Sequence, residues 1–312
     1  MAASVEWRIA FTRKDVEFIG GESIRMRKMI VVVLMVLLAA VAVYAQDGHA
    51  AHAEHATVSM MMQDWAKQKL DKSPRHQEWV QVKNGTRTVN AFIVYPEVKN
   101  KAMAVVVIHE IFGLSDWVRG VADQLAEAGY IAIAPDLLSG MGPQGGGSSE
   151  FADRSAVTQA VMKLPADQVT ADLNAVADYV AKLPAANGKV AVGGFCWGGT
   201  QTFRFATNRA NLAAAFVFYG TGPDSPDAIA KIKAPVYGFY GGNDARVTAT
   251  VAKSTELMKT AGKRYEPVTY EGAGHGFMRS GEDPTANDAN KDANKKAHDE
   301  AWARWKALLK KL

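Results

Sequence analysis

Short apolar runs separated by helical segments recur along most of this 312-residue chain. The runs are mostly continuous rather than alternating, which is typical of strands buried on both faces. Strands that alternate with helices form mostly parallel sheets, so the order predicts an α/β fold with helices on both faces of a central sheet. The predicted strands are Ala102 to Ile108, Tyr130 to Ala134, Lys189 to Gly193, Ala213 to Tyr219, Val236 to Tyr240 and Arg264 to Tyr270.

A hairpin precedes these runs. Residues 78–83 and 88–95 alternate apolar and polar side chains around Asn84-Gly85, and Asn-Gly between alternating runs is a strong hairpin signal. We therefore expect antiparallel strands at one edge of the sheet. Helical segments are predicted at residues 64–72, 116–128, 167–183, 196–208, 247–261 and 288–312.

The first 45 residues have the three-part pattern of a secretory signal peptide. Basic residues precede an apolar run from Met29 to Val43, and small residues at the right positions predict cleavage after Ala45. The run is shorter than the roughly 20 residues that span a bilayer. An uncleaved N-terminal anchor is the alternative. Met26 begins a normal signal peptide, so we expect translation to start there.

Three regions follow: a signal peptide over residues 1–45, a leader with a short helix over 46–77, and one α/β domain over 78–312. Export would place the mature chain in the periplasm or outside the cell, without stable membrane association after cleavage. The leader carries His49, His52 and His55, whose spacing could place three imidazoles on one helical face for a metal ion. A mobile polar leader is the favoured interpretation.

Charge and cysteine content narrow the function. The chain has 36 Lys and Arg against 32 Asp and Glu, a net charge of +4. That excess is too weak to indicate nucleic-acid binding. The single cysteine, Cys196, cannot form an internal disulfide and is therefore a candidate reactive thiol. We also predict a monomer with no cofactor and no metal.

The segment Gly194-Phe195-Cys196-Trp197-Gly198-Gly199 follows a predicted buried strand and begins a predicted helix. It has the G-x-S-x-G form of a nucleophile elbow, with cysteine in the serine position. The glycines permit a tight turn with a strained nucleophile, and the helix N-terminus directs free N–H groups at the sulfur. We therefore expect Cys196 to be a nucleophile with a favoured thiolate. The alternative is a buried structural cysteine.

Two further residues complete a triad in the order nucleophile, acid, histidine that α/β-hydrolases use. Asp244 directly follows the strand Val236 to Tyr240, and His275 directly follows the strand Arg264 to Tyr270. Both loops are predicted at the edge of the sheet where the elbow opens. A base must reach the thiol, and a carboxylate must orient the imidazole.

The loop after the first buried strand carries the remaining candidates. In this fold it supplies one oxyanion-hole N–H, so Ile111 and Trp197 are the expected backbone donors. Glu110 would lie at the same crevice near Cys196. A buried carboxylate beside a thiol is costly unless it is paired or protonated, which suggests a proton-handling role. A helix-capping or rim residue is the alternative.

A glycine-rich loop, Leu138 to Ser149, lies between a predicted strand and helix, where α/β sheets keep their ligand crevice. Its glycines suggest phosphate binding, but neither GxxxxGK[ST] nor GxGxxG is present. We expect instead a mobile rim of the active-site crevice.

The segments HEIFGL, GFCWGG, GGNDARV and GAGHGF together resemble the dienelactone hydrolases (carboxymethylenebutenolidases). The resemblance extends from about Glu78 to the C-terminus. It implies the α/β-hydrolase fold and hydrolysis of a small-molecule lactone or ester through an acyl-cysteine intermediate. It implies Cys196 as nucleophile, His275 as base and Asp244 as the residue that orients it.

The resemblance also assigns three charged residues. Glu110 is implied to bind the resting thiol and to help deprotonate it once substrate arrives. Arg279 is implied to hold a substrate carboxylate, and Arg154 is the nearest match by position to a second such arginine.

Export and the glycine-rich loop distinguish this chain from cytoplasmic family members, so its ester or lactone remains open. Two alternatives remain: a broad-specificity exported esterase, and a non-catalytic module that uses the crevice for binding.

Overall fold

The structure is a computed structural model that describes residues 64–312. The predicted signal peptide, and the leader histidines His49, His52 and His55, lie outside the described residues. The predicted short helix is present as α1, Asp64–Asp71. Searching the described part of the chain for a helix long and apolar enough to cross a membrane gives none.

A single eight-stranded sheet organises the domain, in the order β1-β2-β4-β3-β5-β6-β7-β8. The pairs β1–β2 and β2–β4 are antiparallel, and all other neighbouring strands are parallel. The predicted parallel sheet with an antiparallel N-terminal hairpin is therefore confirmed. The strands are β1 Gln77–Asn84, β2 Arg87–Val94, β3 Ala102–Ile108, β4 Ile131–Pro135, β5 Ala186–Phe195, β6 Ala215–Phe218, β7 Val236–Gly241 and β8 Tyr265–Tyr270.

Helices lie between the strands, with bounds that differ from the predictions by a few residues. The last helix begins at Lys291 rather than at Asp288, because the Asp288 carboxylate instead accepts the N–H of Asn290 in a turn before the helix. The other helices are α2 Asp116–Glu127, α3 Arg154–Met162, α4 Ala166–Ala181, α5 Trp197–Asn208, α6 Pro226–Ala230, α7 Ala245–Thr260 and α8 Phe277–Ser280, before α9 Lys291–Leu309.

The sheet separates two apolar cores. Side chains alternate along β3, so Val105 and Val107 face one core while Val106 and Ile108 face the other. The first core is covered by α1, α2 and α9, and the second by α4, α5, α6 and α7. Both faces of the sheet are thus buried, as the continuous apolar runs predict.

Trp305 of α9 is central to the first core. Its side chain is fully buried and its ring lies 4.8 Å from the Phe218 ring and 6.1 Å from the Phe195 ring, centroid to centroid. Gly193 of β5 leaves room for it, since a Cβ there would lie 2.7 Å from the indole. Trp305 therefore fixes α9 against β5, the strand that ends directly before Cys196.

Replacing Trp305 by Ala should lower the free energy of unfolding by about 3–5 kcal/mol, because a large aromatic side chain leaves a cavity that the sheet cannot close. Urea denaturation of Trp305→Ala and Trp302→Ala tests this. Trp302 is only partly buried against the same core, so its truncation is the matched control and should cost clearly less. Equal losses would contradict the central role of Trp305.

Candidate active site

Four loops meet at the carboxyl edge of the parallel strands, where an α/β sheet keeps its ligand crevice. They follow β3, β5, β7 and β8, and they carry Glu110, Cys196, Asp244 and His275 respectively. All four candidate side chains from the sequence therefore lie on one edge of the sheet.

Cys196 occupies a sharp turn between β5 and α5. Its backbone angles are φ 57° and ψ −117°, a region that non-glycine residues rarely adopt. The turn brings backbones close together: a Cβ on Gly194 would lie 2.4 Å from the Gly198 carbonyl oxygen. The strained elbow predicted from the glycine spacing is present, with its strain at the candidate nucleophile.

Asp244 and His275 are in direct contact. The His275 Nδ1 lies 2.5 Å from the Asp244 Oδ2, and the Asp244 side chain is only 6% exposed. A carboxylate accepts, so Nδ1 carries the proton and Nε2 is left as the basic nitrogen. The other Asp244 oxygen accepts the N–H of Val247 and so caps α7.

The loops that carry this pair are tied together by asparagines that sequence patterns do not reveal. The Asn243 N–H donates to the Ala273 carbonyl at 2.8 Å, and its amide donates to the Gly272 carbonyl at 3.0 Å. From α9, Asn294 accepts the Gly274 N–H at 2.8 Å. His275 is therefore held from two sides.

Tyr219, at the end of β6, packs edge-on against the His275 ring with centroids 5.1 Å apart. Its φ of 40° makes it the second non-glycine residue with positive φ in the described range. Burial and the charge of Glu110 raise the pKa of its hydroxyl, so Tyr219 stays neutral. No sequence signal singles it out.

Glu110 is paired with Arg279. The Arg279 Nε donates to Glu110 Oε2 at 2.9 Å, and the carboxylate side chain is only 3% exposed. The charge of Glu110 raises the pKa of Arg279. The family resemblance implies that Arg279 holds a substrate carboxylate, and in this structure it neutralises the buried carboxylate of Glu110.

Arg154 reaches the same place from α3. Its guanidinium lies 3.9 Å from the centre of the Phe112 ring, and that of Arg279 lies 5.4 Å from it. Burial and the charge of Arg279 lower the pKa of Arg154. Within residues 64–312 Arg154 forms no ion pair, so its charge is not neutralised by a carboxylate in contact with it.

A cleft of about 440 Å³ opens beside these groups. Aromatic, hydroxyl, cationic and anionic side chains line it, so it suits a small polar molecule with a planar part. Cys196, Asp244 and His275 are not among its lining residues. Its lining includes Trp79, Phe112, Arg119, Asp136, Ser148 and Arg154.

The glycine-rich loop forms one rim of that cleft and wraps around two carboxylates of this chain. Asp136 accepts both the N–H and the hydroxyl of Ser148 at 2.7 Å, and Glu150 accepts the Gly146 N–H at 2.8 Å. A Cβ on Gly147 would lie 2.1 Å from Asp136 Oδ2. The glycines therefore make room for internal carboxylates, which occupy the N–H groups a phosphate would need.

The described residues contain no group of three or more His, Cys, Asp or Glu side chains placed to hold a metal ion.

The family model described as the dienelactone hydrolase family matches residues 89–312, well over half of the chain. This protein belongs to the dienelactone hydrolase family. Membership identifies it as a hydrolase that acts on esters or lactones.

Relatives support the assignment. A Salmonella typhimurium protein assigned as a carboxymethylenebutenolidase is 34% identical over 199 residues, which cover 60% of this chain and 72% of that protein. A Saccharolobus solfataricus protein with the same assignment is 29% identical over 260 residues, covering 72% of this chain and 94% of its own.

Solved structures agree on the fold. A Klebsiella pneumoniae protein assigned as a dienelactone hydrolase superposes with a TM-score of 0.65 at 27% identity, covering 76% of this chain and 99% of that one. The predicted α/β-hydrolase fold is confirmed.

The electrostatics of the thiol in this dienelactone hydrolase family member differ from the sequence-based prediction. Burial and the charge of Glu110 raise the pKa of Cys196, and hydrogen bonds from the Trp197 and Ile111 N–H groups lower it less. The prediction of a favoured thiolate is therefore wrong for this state. A helix N-terminus stabilises a thiolate, but desolvation and a neighbouring carboxylate outweigh it here.

Labelling of the single thiol by iodoacetamide should therefore be slow at neutral pH. A raised pKa keeps the thiol protonated until higher pH, so the labelling rate should rise with a midpoint above the usual cysteine value of about 8.5. Glu110→Gln removes the charge that raises the pKa, so its midpoint should fall.

Asp172→Asn is the matched control, because Asp172 is a buried carboxylate paired with Arg87 beneath the hairpin. Its midpoint should equal that of the unchanged protein. A midpoint below the usual cysteine value in the unchanged protein would contradict this account of the thiol.

Proposed function

We propose that the protein hydrolyses its ester or lactone through an acyl-cysteine intermediate formed on Cys196. The observation that carries the proposal is the 2.5 Å contact between His275 Nδ1 and Asp244, which leaves the other imidazole nitrogen free as a base. That pair follows β7 and β8, and the strained Cys196 elbow follows β5, at the same edge of one sheet.

In the first step the sulfur attacks the carbonyl carbon, and the carbonyl electron pair moves to oxygen. When that pair returns, the bond to the alkoxy oxygen breaks, and this oxygen takes the proton that Glu110 received from the thiol. Water then attacks the thioester with His275 as general base, releasing the acid and restoring the thiol. Asp244 orients the imidazole and stabilises its charged form.

The developing oxyanion needs hydrogen-bond donors at the attacked carbonyl. The N–H groups of Trp197 and Ile111 both act on the sulfur in the resting structure. An oxygen on a carbon bonded to that sulfur would lie within their reach. This supports the two residues as the oxyanion hole.

Because the resting thiol of Cys196 is neutral, it has to lose its proton before it can attack. The Glu110–Arg279 pair supports a route for this deprotonation. A substrate carboxylate that binds Arg279 would compete with Glu110 for the guanidinium. Glu110, no longer neutralised, becomes a stronger base close to the thiol and takes its proton. Attack would then depend on the presence of an anionic substrate.

Activation of the thiol by an anionic substrate favours a small acidic lactone over a neutral ester. The cleft next to Phe112 has room for the remainder of such a molecule, and Arg154 lies there without a carboxylate partner among the described side chains. A broad-specificity esterase would not need this arrangement of cations. Export to the periplasm or out of the cell, and a monomeric state without nucleic-acid partners, remain predictions from the sequence.

Replacing Cys196 by Ala should abolish turnover while the protein stays folded. Loss of a catalytic nucleophile costs up to about 10⁶ in rate. Cys196→Ser should also be poor, because a hydroxyl has a far higher pKa and Glu110 cannot deprotonate it beforehand. Hydrolysis of an aryl ester and of a small acidic lactone measures both variants. More than a few per cent of the original rate in the Ala variant would exclude Cys196 as nucleophile.

Arg154→Gln should lower kcat/KM for an acidic lactone by roughly 10- to 150-fold, because a charge-assisted hydrogen bond contributes about 1.5–3 kcal/mol. A neutral aryl ester should be hydrolysed nearly as before. The exposed Arg264, paired with Glu266 on β8, gives the control Arg264→Gln. The measured quantity is the ratio of the two kcat/KM values in each variant.

Arg279→Gln, in contrast, removes both the partner of Glu110 and the cation that the substrate carboxylate would bind. Activation of Cys196 should then no longer depend on an anionic substrate, so the ratio of kcat/KM for the acidic lactone to that for the neutral ester should fall. If Arg154→Gln leaves the ratio unchanged and the neutral ester is hydrolysed well, a broad-specificity esterase is the better description.

A further inference from the structure

His109 lies between the two segments that carry the oxyanion donors, and the proposed function leaves it without a role. Its side chain is fully buried, directly before Glu110. Its ring stacks on the Trp197 ring, with centroids 5.4 Å apart and 13° between the planes. The main chains are also close, since a Cβ on Gly198 would lie 2.4 Å from the His109 carbonyl oxygen.

The ring of His109 has one defined hydrogen bond. Nδ1 lies 2.7 Å from the Glu110 carbonyl oxygen. A carbonyl oxygen only accepts, so Nδ1 carries the proton. Nε2 has no hydrogen-bond partner among the described residues. Burial lowers the pKa of the ring. The imidazole is therefore neutral, with its single proton directed at Glu110.

The Glu110 carbonyl, which accepts this hydrogen bond, belongs to the same peptide group as the Ile111 N–H. No cis peptide bond occurs in the described range, and a trans peptide is planar, so the carbonyl and the N–H point in opposite directions. Fixing one therefore fixes the other. The Gly113 N–H donates to the same carbonyl at 3.2 Å. The orientation of this peptide group therefore depends on both His109 and the turn that follows it.

We propose that His109 is a positioning residue for the oxyanion hole: its Nδ1–H orients the Glu110–Ile111 peptide, and its ring holds Trp197. One side chain thereby links the two N–H groups that come from separate loops. The inference rests on the proposed function, because it concerns the oxyanion of the acyl-cysteine pathway.

Two variants separate the hydrogen bond from the packing. His109→Phe keeps a ring against Trp197 and loses the donor. His109→Asn loses the ring, but its amide N–H can take the place of Nδ1–H. Each is assayed for kcat and KM, for inhibition by a trifluoromethyl ketone, and for alkylation of Cys196 by iodoacetamide at the high-pH plateau.

The two reagents distinguish an effect of a variant on the oxyanion hole from an effect on the reactivity of the thiol. On the ketone, the sulfur bonds to the carbonyl carbon and the electron pair moves to oxygen without a leaving group, so the adduct needs the oxyanion hole. On iodoacetamide, the sulfur bonds to a saturated carbon and iodide leaves, so no oxyanion forms.

His109→Phe should lose about 10- to 100-fold in kcat, less than the roughly 10²–10³-fold that follows deletion of a whole oxyanion donor. KM should stay within about twofold, the inhibition constant of the ketone should rise in parallel with the loss in kcat, and the alkylation plateau should not change. His109→Asn should recover most of kcat and of the ketone affinity, because it restores the donor.

Unchanged kcat in His109→Phe would overturn the proposal, as would equal losses in both variants that extend to the alkylation plateau, since packing alone would then explain them. If neither variant folds, nitrogen NMR of ¹⁵N-histidine-labelled unchanged protein still decides: the slowly exchanging buried imidazole must carry its proton on Nδ1, and a proton on Nε2 would overturn the proposal. Turnover in Cys196→Ala would instead disprove the acyl-cysteine pathway and leave this NMR result standing.

Discussion

The buried ion pair between Glu110 and Arg279 governs the rest of the site. A carboxylate that is 3% exposed cannot remain charged without a partner, and removing one member of such a pair costs about 3–5 kcal/mol. The pair joins the loop after β3 to the short helix α8, which directly follows the loop of His275. The same carboxylate raises the pKa of Cys196, so one interaction holds the loops together and keeps the thiol neutral.

Around this pair, the backbone is placed mainly by close approaches and hydrogen bonds between loops. In the elbow at Cys196, the Gly194 main chain lies so close to the Gly198 carbonyl that a side chain would not fit. The loops that carry Asp244 and His275 are held by hydrogen bonds of Asn243 and Asn294. The aromatic packing of Trp305 presses α9 against β5, and α9 also supplies Asn294. The far helix therefore contributes both to the core and to the position of His275.

Much of this could be predicted from the sequence, because the signals are local. Continuous apolar runs, the Asn84-Gly85 turn and the glycines around Cys196 each constrain the backbone where they occur. The order of Cys196, Asp244 and His275 adds a topological constraint, since each follows a strand of one parallel sheet. Helix bounds were less certain, as the turn at Asp288 illustrates.

What could not be predicted depends on contacts between distant segments. The N-terminus of α5 suggests a thiolate, but the pKa of Cys196 depends on how deeply the sulfur is buried and on a carboxylate 86 positions earlier in the numbering. The sequence also cannot tell that Arg279 already has a partner. The glycine-rich loop is a similar case, because its glycines accommodate Asp136 and Glu150 rather than a ligand.

The two arginines near the Phe112 ring therefore have different roles. Both guanidiniums lie near the ring, but only Arg279 is paired with a carboxylate, so the group of three charges carries a net positive charge. Burial, and after it the repulsion by Arg279, lower the pKa of Arg154. In the proposed function, an anion bound at the two arginines would relieve that repulsion and compete with Glu110 for Arg279, which would free the carboxylate to take the thiol proton. In the proposed function, recognition of an acidic substrate and activation of Cys196 are consequently one electrostatic event.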